Sequence, residues 1–147
     1  MFNVLDAANF EPGPLPDSVN PEEHQMIQKL WEMQGTANAR NIQECYNDAL
    51  FYRDETRQLF KAGQINLRSR SLSENLFLQI MHQLLDLADE APREHRELEK
   101  LRELLSDIYY CNFSLFQSLP DVWAIDQIFP VMPIHRLTEE PSRHGII

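Results

Sequence analysis

Apolar residues recur at helical spacing in four separate stretches of the chain. Residues three or four positions apart lie on one face of an α-helix, so each stretch predicts an amphipathic helix with one face to bury. The most regular stripe consists of Leu72, Leu76, Phe77, Ile80, Met81, Leu84, Leu85 and Ala88. Four such helices with short connections predict a mainly α fold, an antiparallel four-helix bundle followed by a short β or extended C-terminal tail.

Capping residues and glycines predict the ends of the first two helices. Asn20 is a favourable N-cap, Pro21 suits the first helical position, and Gly35 is placed to end helix one. Helix two is predicted over residues 37–62, and Gly63 is placed to close it.

The last two helices are predicted in the same way. Ser71 is a candidate cap for a third helix that starts at Leu72, which leaves residues 64–70 as a short loop. A fourth helix is predicted to run from Pro92 to Tyr110.

Both ends of the chain depart from the helical period. Residues 2–5 are a short β-like run, and the proline-rich stretch 12–21 predicts an extended linker. Residues 112–116 alternate with a period near two, residues 125–132 form a further extended candidate, and residues 144–147 resemble the start of a third strand.

These patterns divide the chain into a strand end with a linker (1–19), a helical bundle (20–111) and a partial β-domain (112–147). Lone edge strands tend to pair with another copy. We therefore expect Phe113–Phe116 and Ile146–Ile147 to be disordered or to pair between chains.

The composition and net charge of the chain limit the classes of partner that it can bind. The chain has 147 residues, 43% of them hydrophobic, which is enough for one domain with a real core. Its 13 Lys and Arg against 23 Asp and Glu give a net charge of −10, which disfavours nucleic acid and anionic membrane surfaces as partners. No apolar run approaches the roughly 18 residues that span a bilayer. The first residues lack the basic region of a signal peptide, so a cytoplasmic location is predicted.

The histidines do not form a metal motif. His82 and Asp86 are four residues apart, as are His95 and Glu99, and helical pairs at this spacing are usually surface ion pairs. Metal binding is the alternative interpretation, but no ExxH or HExxH pattern supports it.

Cys45 and Cys111 are predicted as a core helix position and a helix-end or strand position, with a disulfide or zinc site as the alternative. The basic run 68–70 is predicted as a solvated loop, with an anion or partner contact as the alternative. There is no glycine-rich phosphate loop and no GxSxG, so the chain carries no complete catalytic constellation.

Two carboxylates stand among apolar residues in the tail. Asp121 and Asp126 are separated by Val-Trp-Ala-Ile. Carboxylates in such surroundings are either turn and cap groups or cation binders, and both interpretations remain open on this pattern.

The tail segment NFSLFQSLPDVWAIDQIFPVMPIHRL, residues 112–137, closely resembles a signature segment of the biosynthetic arginine decarboxylases. The upstream segment ECYNDALFYRDETRQLFKAGQINLRSRSLSE is similar to the helical bundle that these enzymes carry as an insertion, and FNVLD resembles the end of the strand before it. The resemblance covers nearly the whole chain.

The resemblance implies decarboxylation of L-arginine to agmatine with pyridoxal phosphate as the electron sink. It makes Asp126, and less strongly Asp121, candidate partners of the substrate guanidinium, with Ser118 and Trp123 as candidate pocket-wall residues.

The family's Schiff-base lysine and its catalytic Cys-Asp segment lie outside the matching residues. The resemblance therefore implies an excised bundle with the first β-domain strands, inactive alone and without bound cofactor. The implied partners are the remainder of the decarboxylase and further subunits of a homo-oligomer. The competing hypothesis is a free-standing helical adaptor that binds a partner helix in its groove.

Overall fold

The structure is a computed structural model that describes residues 3–89, 101–103, 105–114, 116, 124–127, 134–140 and 145–146. Its helices are α1 (Gln25–Thr36), α2 (Ile42–Lys61) and α3 (Leu67–Asp89). Its strands are β1 (Val4–Ala8), β2 (Asp107–Cys111) and β3 (Gly145–Ile146). Two compact units form, one from Met1–Phe10 with Leu105–Ile147 and the other from Glu11–Leu104. None of the described helices combines the length and apolarity needed to cross a membrane.

The three helices pack pairwise around one apolar core, which confirms the mainly helical prediction. The core residues of these helices are Ile27, Leu30, Met33, Ile42, Cys45, Ala49, Leu76, Phe77, Ile80, Met81 and Leu84. All of them lie in the predicted helical stretches, and five of them (Leu76, Phe77, Ile80, Met81 and Leu84) belong to the regular stripe of the third predicted helix. Burial of each large aliphatic side chain contributes about 1.5–3 kcal/mol, so the stripes drive the packing.

Side-chain contacts fix the helix directions. Arg53 contacts Phe77, Thr56 contacts Ser73, and Phe60 contacts Arg70. As the residue number increases along α2, the residue number of the contacting partner on α3 decreases, so these two helices are antiparallel. Glu23 contacts Ser69 and Gln34 contacts Gln83, so α1 runs in the same direction as α3. Of the predicted fourth helix, residues 101–103 are described and helical, and most of the rest lies outside the described residues.

The prediction that the fourth helix continues to Tyr110 is wrong, because Asp107–Cys111 form strand β2. The segment DIYYC combines one β-branched and two aromatic side chains, which favour strands when a pairing partner is present. That partner is β1, which pairs with β2 in antiparallel register from Val4↔Cys111 to Ala8↔Ile108, with a bulge between Val4 and Asp6.

Two predicted boundaries of α1 are also wrong. Asn20 caps a turn before the helix, and His24 is the N-cap of α1. Gly35 lies inside α1, which ends one residue later, at Thr36.

The boundary between α2 and α3 is correct at one end only. Gly63 has φ 72°, the left-handed conformation expected of a residue that ends a helix. However, α3 begins at Leu67 instead of Leu72, because Asn66 accepts a hydrogen bond from the backbone N–H of Ser69 and caps it.

The three strands form one sheet in the order β1-β2-β3. β3 pairs with β2 in parallel, with Ile108↔Ile146 in register. Ile146 therefore pairs within its own chain, which corrects the expectation for that residue. The strand predicted over 112–116 is also wrong, since residues 112–114 follow the end of β2 without strand structure and Phe116 is helical. Of the extended candidate 125–132, the described residues 125–127 form no strand.

Candidate functional site

One of the four site residues implied by the resemblance is described. Asp126 is exposed and has φ 52°, a left-handed conformation that aspartate adopts more readily than most residues. Its carboxylate is therefore on the surface of this chain. Asp121, Ser118 and Trp123 lie outside the described residues, so the structure neither gathers nor separates the four.

A polar depression, here called the acidic cleft, lies in the helical unit between the turn before α1 and the α2–α3 connection. Its volume is about 340 Å³. Its lining residues are Asn20, Glu22, Glu23, His24, Gln64, Ile65, Asn66 and Ser69. The lining includes two carboxylates and neither lysine nor arginine, so the cleft disfavours phosphate and other anions.

The first wall of the acidic cleft is built by local hydrogen bonds. The backbone N–H of Glu22 donates to Asn20 Oδ1 at 3.0 Å, and that of Glu23 donates to the Asn20 carbonyl at 2.9 Å. His24 Nδ1 accepts from the backbone N–H of Met26 at 3.3 Å. The asparagine and histidine acceptors thus satisfy donors that a helix start leaves free.

The second wall belongs to the start of α3. Ser69 is 4% exposed, and its hydroxyl donates to Glu23 Oε2 at 2.7 Å. Ser69 and its neighbours Arg68 and Arg70 are helical, so the prediction of a solvated loop over 68–70 is wrong. The spacing of apolar residues could not predict the first turn of α3, because the residue of that turn that faces inward is a serine.

The acidic cleft does not hold a catalytic constellation. The Ser69 hydroxyl donates to the Glu23 carboxylate, and His24 Nδ1 accepts from the helix backbone, so neither contact pairs the serine with a histidine base. Within the described ranges, no three metal-ligating side chains come together. The cleft is a junction of helix ends, and the sequence did not predict it because the caps were expected at Asn20 and Ser71 instead of His24 and Asn66.

Several polar side chains pair along the line where α2 packs against α3, here called the seam. Arg57 donates from Nε to Glu74 Oε1 at 2.6 Å and from Nη2 to Oε2 at 2.8 Å. This hydrogen-bonded pairing raises the pKa of the Arg57 guanidinium. Arg53 lies over the ring of Phe77 at 4.2 Å, and Arg70 lies 3.9 Å from Glu74. The seam arginines therefore stabilise the helix pair.

Both cysteines and one of the two predicted histidine pairs are described. Cys45 and Cys111 are free thiols, and Cys45 is buried in the core as predicted. Burial, with a smaller contribution from the carboxylates of Glu44 and Asp48, raises the pKa of the Cys45 thiol. His82 is half-buried and Asp86 is exposed, whereas His95 and Glu99 lie outside the described residues.

Comparison with known families supplies the wider context. A family described as the arginine decarboxylase helical bundle domain matches residues 20–102. This range contains α1, α2, α3 and the acidic cleft, and it is more than half of the chain.

Individual relatives match over the whole chain. The biosynthetic arginine decarboxylase of Thermosynechococcus vestitus is 42% identical over 100% of this chain, which spans 23% of that protein. The corresponding protein of Bacteroides thetaiotaomicron is 39% identical, again over 100% of this chain and 23% of its own length.

A solved structure also matches. The crystal structure of the biosynthetic arginine decarboxylase SpeA from Campylobacter jejuni has a TM-score of 0.67 and 27% identity, over 98% of this chain and 22% of that one. The chain therefore spans less than a quarter of the length of these relatives.

Proposed function

Because the chain belongs to the arginine decarboxylase helical bundle family, we propose that it is the bundle segment of a biosynthetic arginine decarboxylase, which converts L-arginine to agmatine and CO₂. The observation that carries the proposal is the uneven coverage. Relatives with this name match all of the chain, while the chain spans 23% of their length. A free-standing adaptor is not favoured, since it would not be expected to match one part of a longer enzyme throughout.

Pyridoxal phosphate is the cofactor that the family resemblance implies, and it supplies an electron sink for the carbanion left when CO₂ departs. Such a site needs a lysine amine and donors for a phosphate. The acidic cleft does not fit such a site. The acidic cleft is lined by Glu22 and Glu23 and by no lysine, and the Lys29 ammonium lies 5.5 Å from the ring centroid of Tyr52. We propose that other parts of the enzyme hold the cofactor.

We assign the bundle a structural and assembly role within a cytoplasmic carbon–carbon lyase of polyamine and spermidine biosynthesis. Its polar side chains support this role, because they are used in helix caps and in the α2–α3 seam. No buried side-chain nitrogen or oxygen in the described part of the chain lacks a hydrogen-bond partner. The partners are the rest of the decarboxylase polypeptide and further copies of it in a homo-oligomer.

Asp126 is the residue of this chain that we propose to contact substrate. Arginine carries a planar guanidinium, which pairs with a carboxylate through two parallel hydrogen bonds. The exposed position of Asp126 supports the proposal, since its carboxylate is available to a group outside this chain. Asp121 is the second candidate for the same contact, and Ser118 and Trp123 remain predicted pocket-wall residues.

The test is release of CO₂ from L-arginine by two proteins, the purified chain and the product of the gene's full reading frame. We expect activity from the full product in the presence of pyridoxal phosphate and none from the chain. A full product that folds, binds the cofactor and leaves L-arginine unchanged would contradict the proposed function.

The site assignment is tested separately in the full product. A hydrogen bond to a charged group is worth about 1.5–3 kcal/mol, so Asp126→Asn should lower kcat/KM for L-arginine by roughly 10- to 150-fold. Asp17→Asn, at an exposed position in the linker, is the matched control and should leave kcat/KM unchanged. If Asp126→Asn behaves like the control, the assignment of Asp126 is wrong while the decarboxylase function stands.

A further inference from the structure

The proline-rich segment before the first helix is docked on the bundle. This segment, residues 11–16 with the sequence Glu-Pro-Gly-Pro-Leu-Pro, is here called the strap. The side chain of Asn75 on α3 makes three hydrogen bonds to its backbone. Oδ1 accepts from the Gly13 N–H at 2.7 Å, and Nδ2 donates to the carbonyls of Gly13 and Pro14, both at 3.1 Å.

The strap offers few groups for such a contact. Proline has no backbone N–H, so Gly13 and Leu15 are the only donors between Pro12 and Pro16. One of these two donors is bound by Asn75. An asparagine amide presents one acceptor and two donors, and Asn75 binds both the N–H and the carbonyl of one residue, Gly13, as a residue of a neighbouring strand would.

We propose that Asn75 is a positioning residue that clamps the strap onto α3, so that residues 11–16 are a fixed part of the helical unit and not a free tether. Pro12 and Leu15 are half-buried, which supports docking along the length of the strap. The proline-restricted backbone lowers the conformational entropy that docking must overcome. The clamp requires a backbone N–H at position 13 and does not require a particular side chain there.

Position 13 gives a sharp pair of variants. A Cβ added at Gly13 would lie 3.7 Å from the Asn75 amide, an ordinary van der Waals distance, so Gly13→Ala keeps the N–H without a clash. Gly13→Pro removes the N–H and keeps an extended backbone. We expect the Asn75 side-chain amide resonances to stay in place in Gly13→Ala and to move to solvent-exposed values in Gly13→Pro.

The second test is NMR-detected exchange of the Gly13 amide in the 147-residue chain. We expect protection above that of an unstructured peptide, and a loss of about tenfold in Asn75→Leu, which has similar volume and no hydrogen-bonding groups. Asn47→Leu, at an exposed position on α2, is the control and should preserve protection. The amide of Ile80 in the core should be equally protected in all three proteins.

Three results would overturn the clamp. They are a Gly13 amide that exchanges at the unstructured rate in the unmodified chain, an Asn75→Leu variant that keeps Gly13 protected, and a loss in Asn75→Leu that extends equally to Ile80. If Asn75→Leu does not fold, equal Asn75 amide shifts in Gly13→Ala and Gly13→Pro overturn it instead.

Discussion

The Thr56 and Ser73 hydroxyl oxygens lie 2.6 Å apart in the core, between α2 and α3. Thr56 also donates to the Arg53 carbonyl at 2.7 Å, and a hydroxyl has only one hydrogen. Ser73 must therefore be the donor in the pair and Thr56 its acceptor. The two side chains are 1% and 0% exposed, so neither can turn to water.

This direction predicts unequal effects of two similar substitutions. Thr56→Val removes the acceptor and leaves a buried Ser73 hydroxyl to find another partner, at a cost of about 1–3 kcal/mol. Ser73→Ala removes the donor and leaves the Thr56–Arg53 bond intact, so it should cost about 1 kcal/mol or less. Urea unfolding measures both. A larger loss in Ser73→Ala than in Thr56→Val would reverse the assigned donor and acceptor.

The cap of α3 is a second point of prediction. Asn66→Ala should lower the free energy of unfolding by about 1 kcal/mol, because the Ser69 N–H loses its acceptor at 2.9 Å. Ser71→Ala is the matched control, since Ser71 is exposed inside the helix and should show almost no change. The opposite order in thermal unfolding would place the cap at Ser71, where the sequence alone suggested it.

The Arg57–Glu74 pair should contribute modestly and depend on salt. Its side chains are 39% and 30% exposed, so screening by solvent limits the gain to about 1 kcal/mol or less. Glu74→Gln should therefore destabilise at low ionic strength, and the difference should shrink in 1 M salt (a Debye length of about 3 Å). Glu32→Gln, exposed on α1, is the control.

Arg57 itself adds no pH dependence near neutrality. The hydrogen bond to Glu74 raises its pKa in the folded state, so its contribution is fully present below the ordinary pKa of arginine and is lost only at strongly alkaline pH. Unfolding measured between pH 6 and 9 should show the same effect of Glu74→Gln throughout.

Because the Cys45 thiol is buried, we expect the protein to lose stability at alkaline pH. The folded-state pKa of this thiol is raised by burial, so its contribution is present below the ordinary pKa of a thiol and is lost as the pH rises through the folded value. From pH 8 to 10.5 the free energy of unfolding should fall more steeply in the unmodified protein than in Cys45→Ala. Cys111→Ala should keep the steeper slope, and parallel slopes for all three proteins would contradict the prediction.

Gly145 should be essential for the pairing of β2 with β3. A Cβ at this position would lie 2.6 Å from Tyr109 Cε2, so the tyrosine ring or the strand would have to shift to admit it. Gly145→Ala should therefore weaken the β2–β3 pairing by about 1–3 kcal/mol, seen as faster amide exchange in β3. Adding Tyr109→Ala should restore slow exchange, and a double variant as fast as Gly145→Ala would show that the ring is not the obstacle.

The spacing of apolar residues correctly predicted the parts of the helices that are held by local burial of apolar side chains. The stripe from Leu76 to Leu84 is buried as expected, and Gly63 ends α2 in the left-handed conformation. The first turn of α3 was not predicted, because Ser69 faces inward through a hydrogen bond to Glu23. A buried polar residue of this kind does not contribute to a pattern of apolar residues.

Pairing across long sequence distances could not be predicted. Ile108 continues the helical spacing of Leu101 and Leu105, so DIYYC was assigned to a helix. Its strand conformation depends on β1, at the other end of the chain. For the candidate site, the resemblance alone singled out the tail residues, and only Asp126 among them has a described position.

The antiparallel pairing of β1 with β2 has a consequence for folding kinetics. The Asn3 N–H donates to Asn112 Oδ1 across 109 positions of sequence, whereas each helix contacts the helix next to it in the chain. Closing so long a loop costs entropy before any strand contact can compensate. We expect the helices to reach their native packing first and the sheet to form afterwards, as a slower phase whose rate depends on how far the folded bundle has already shortened the loop.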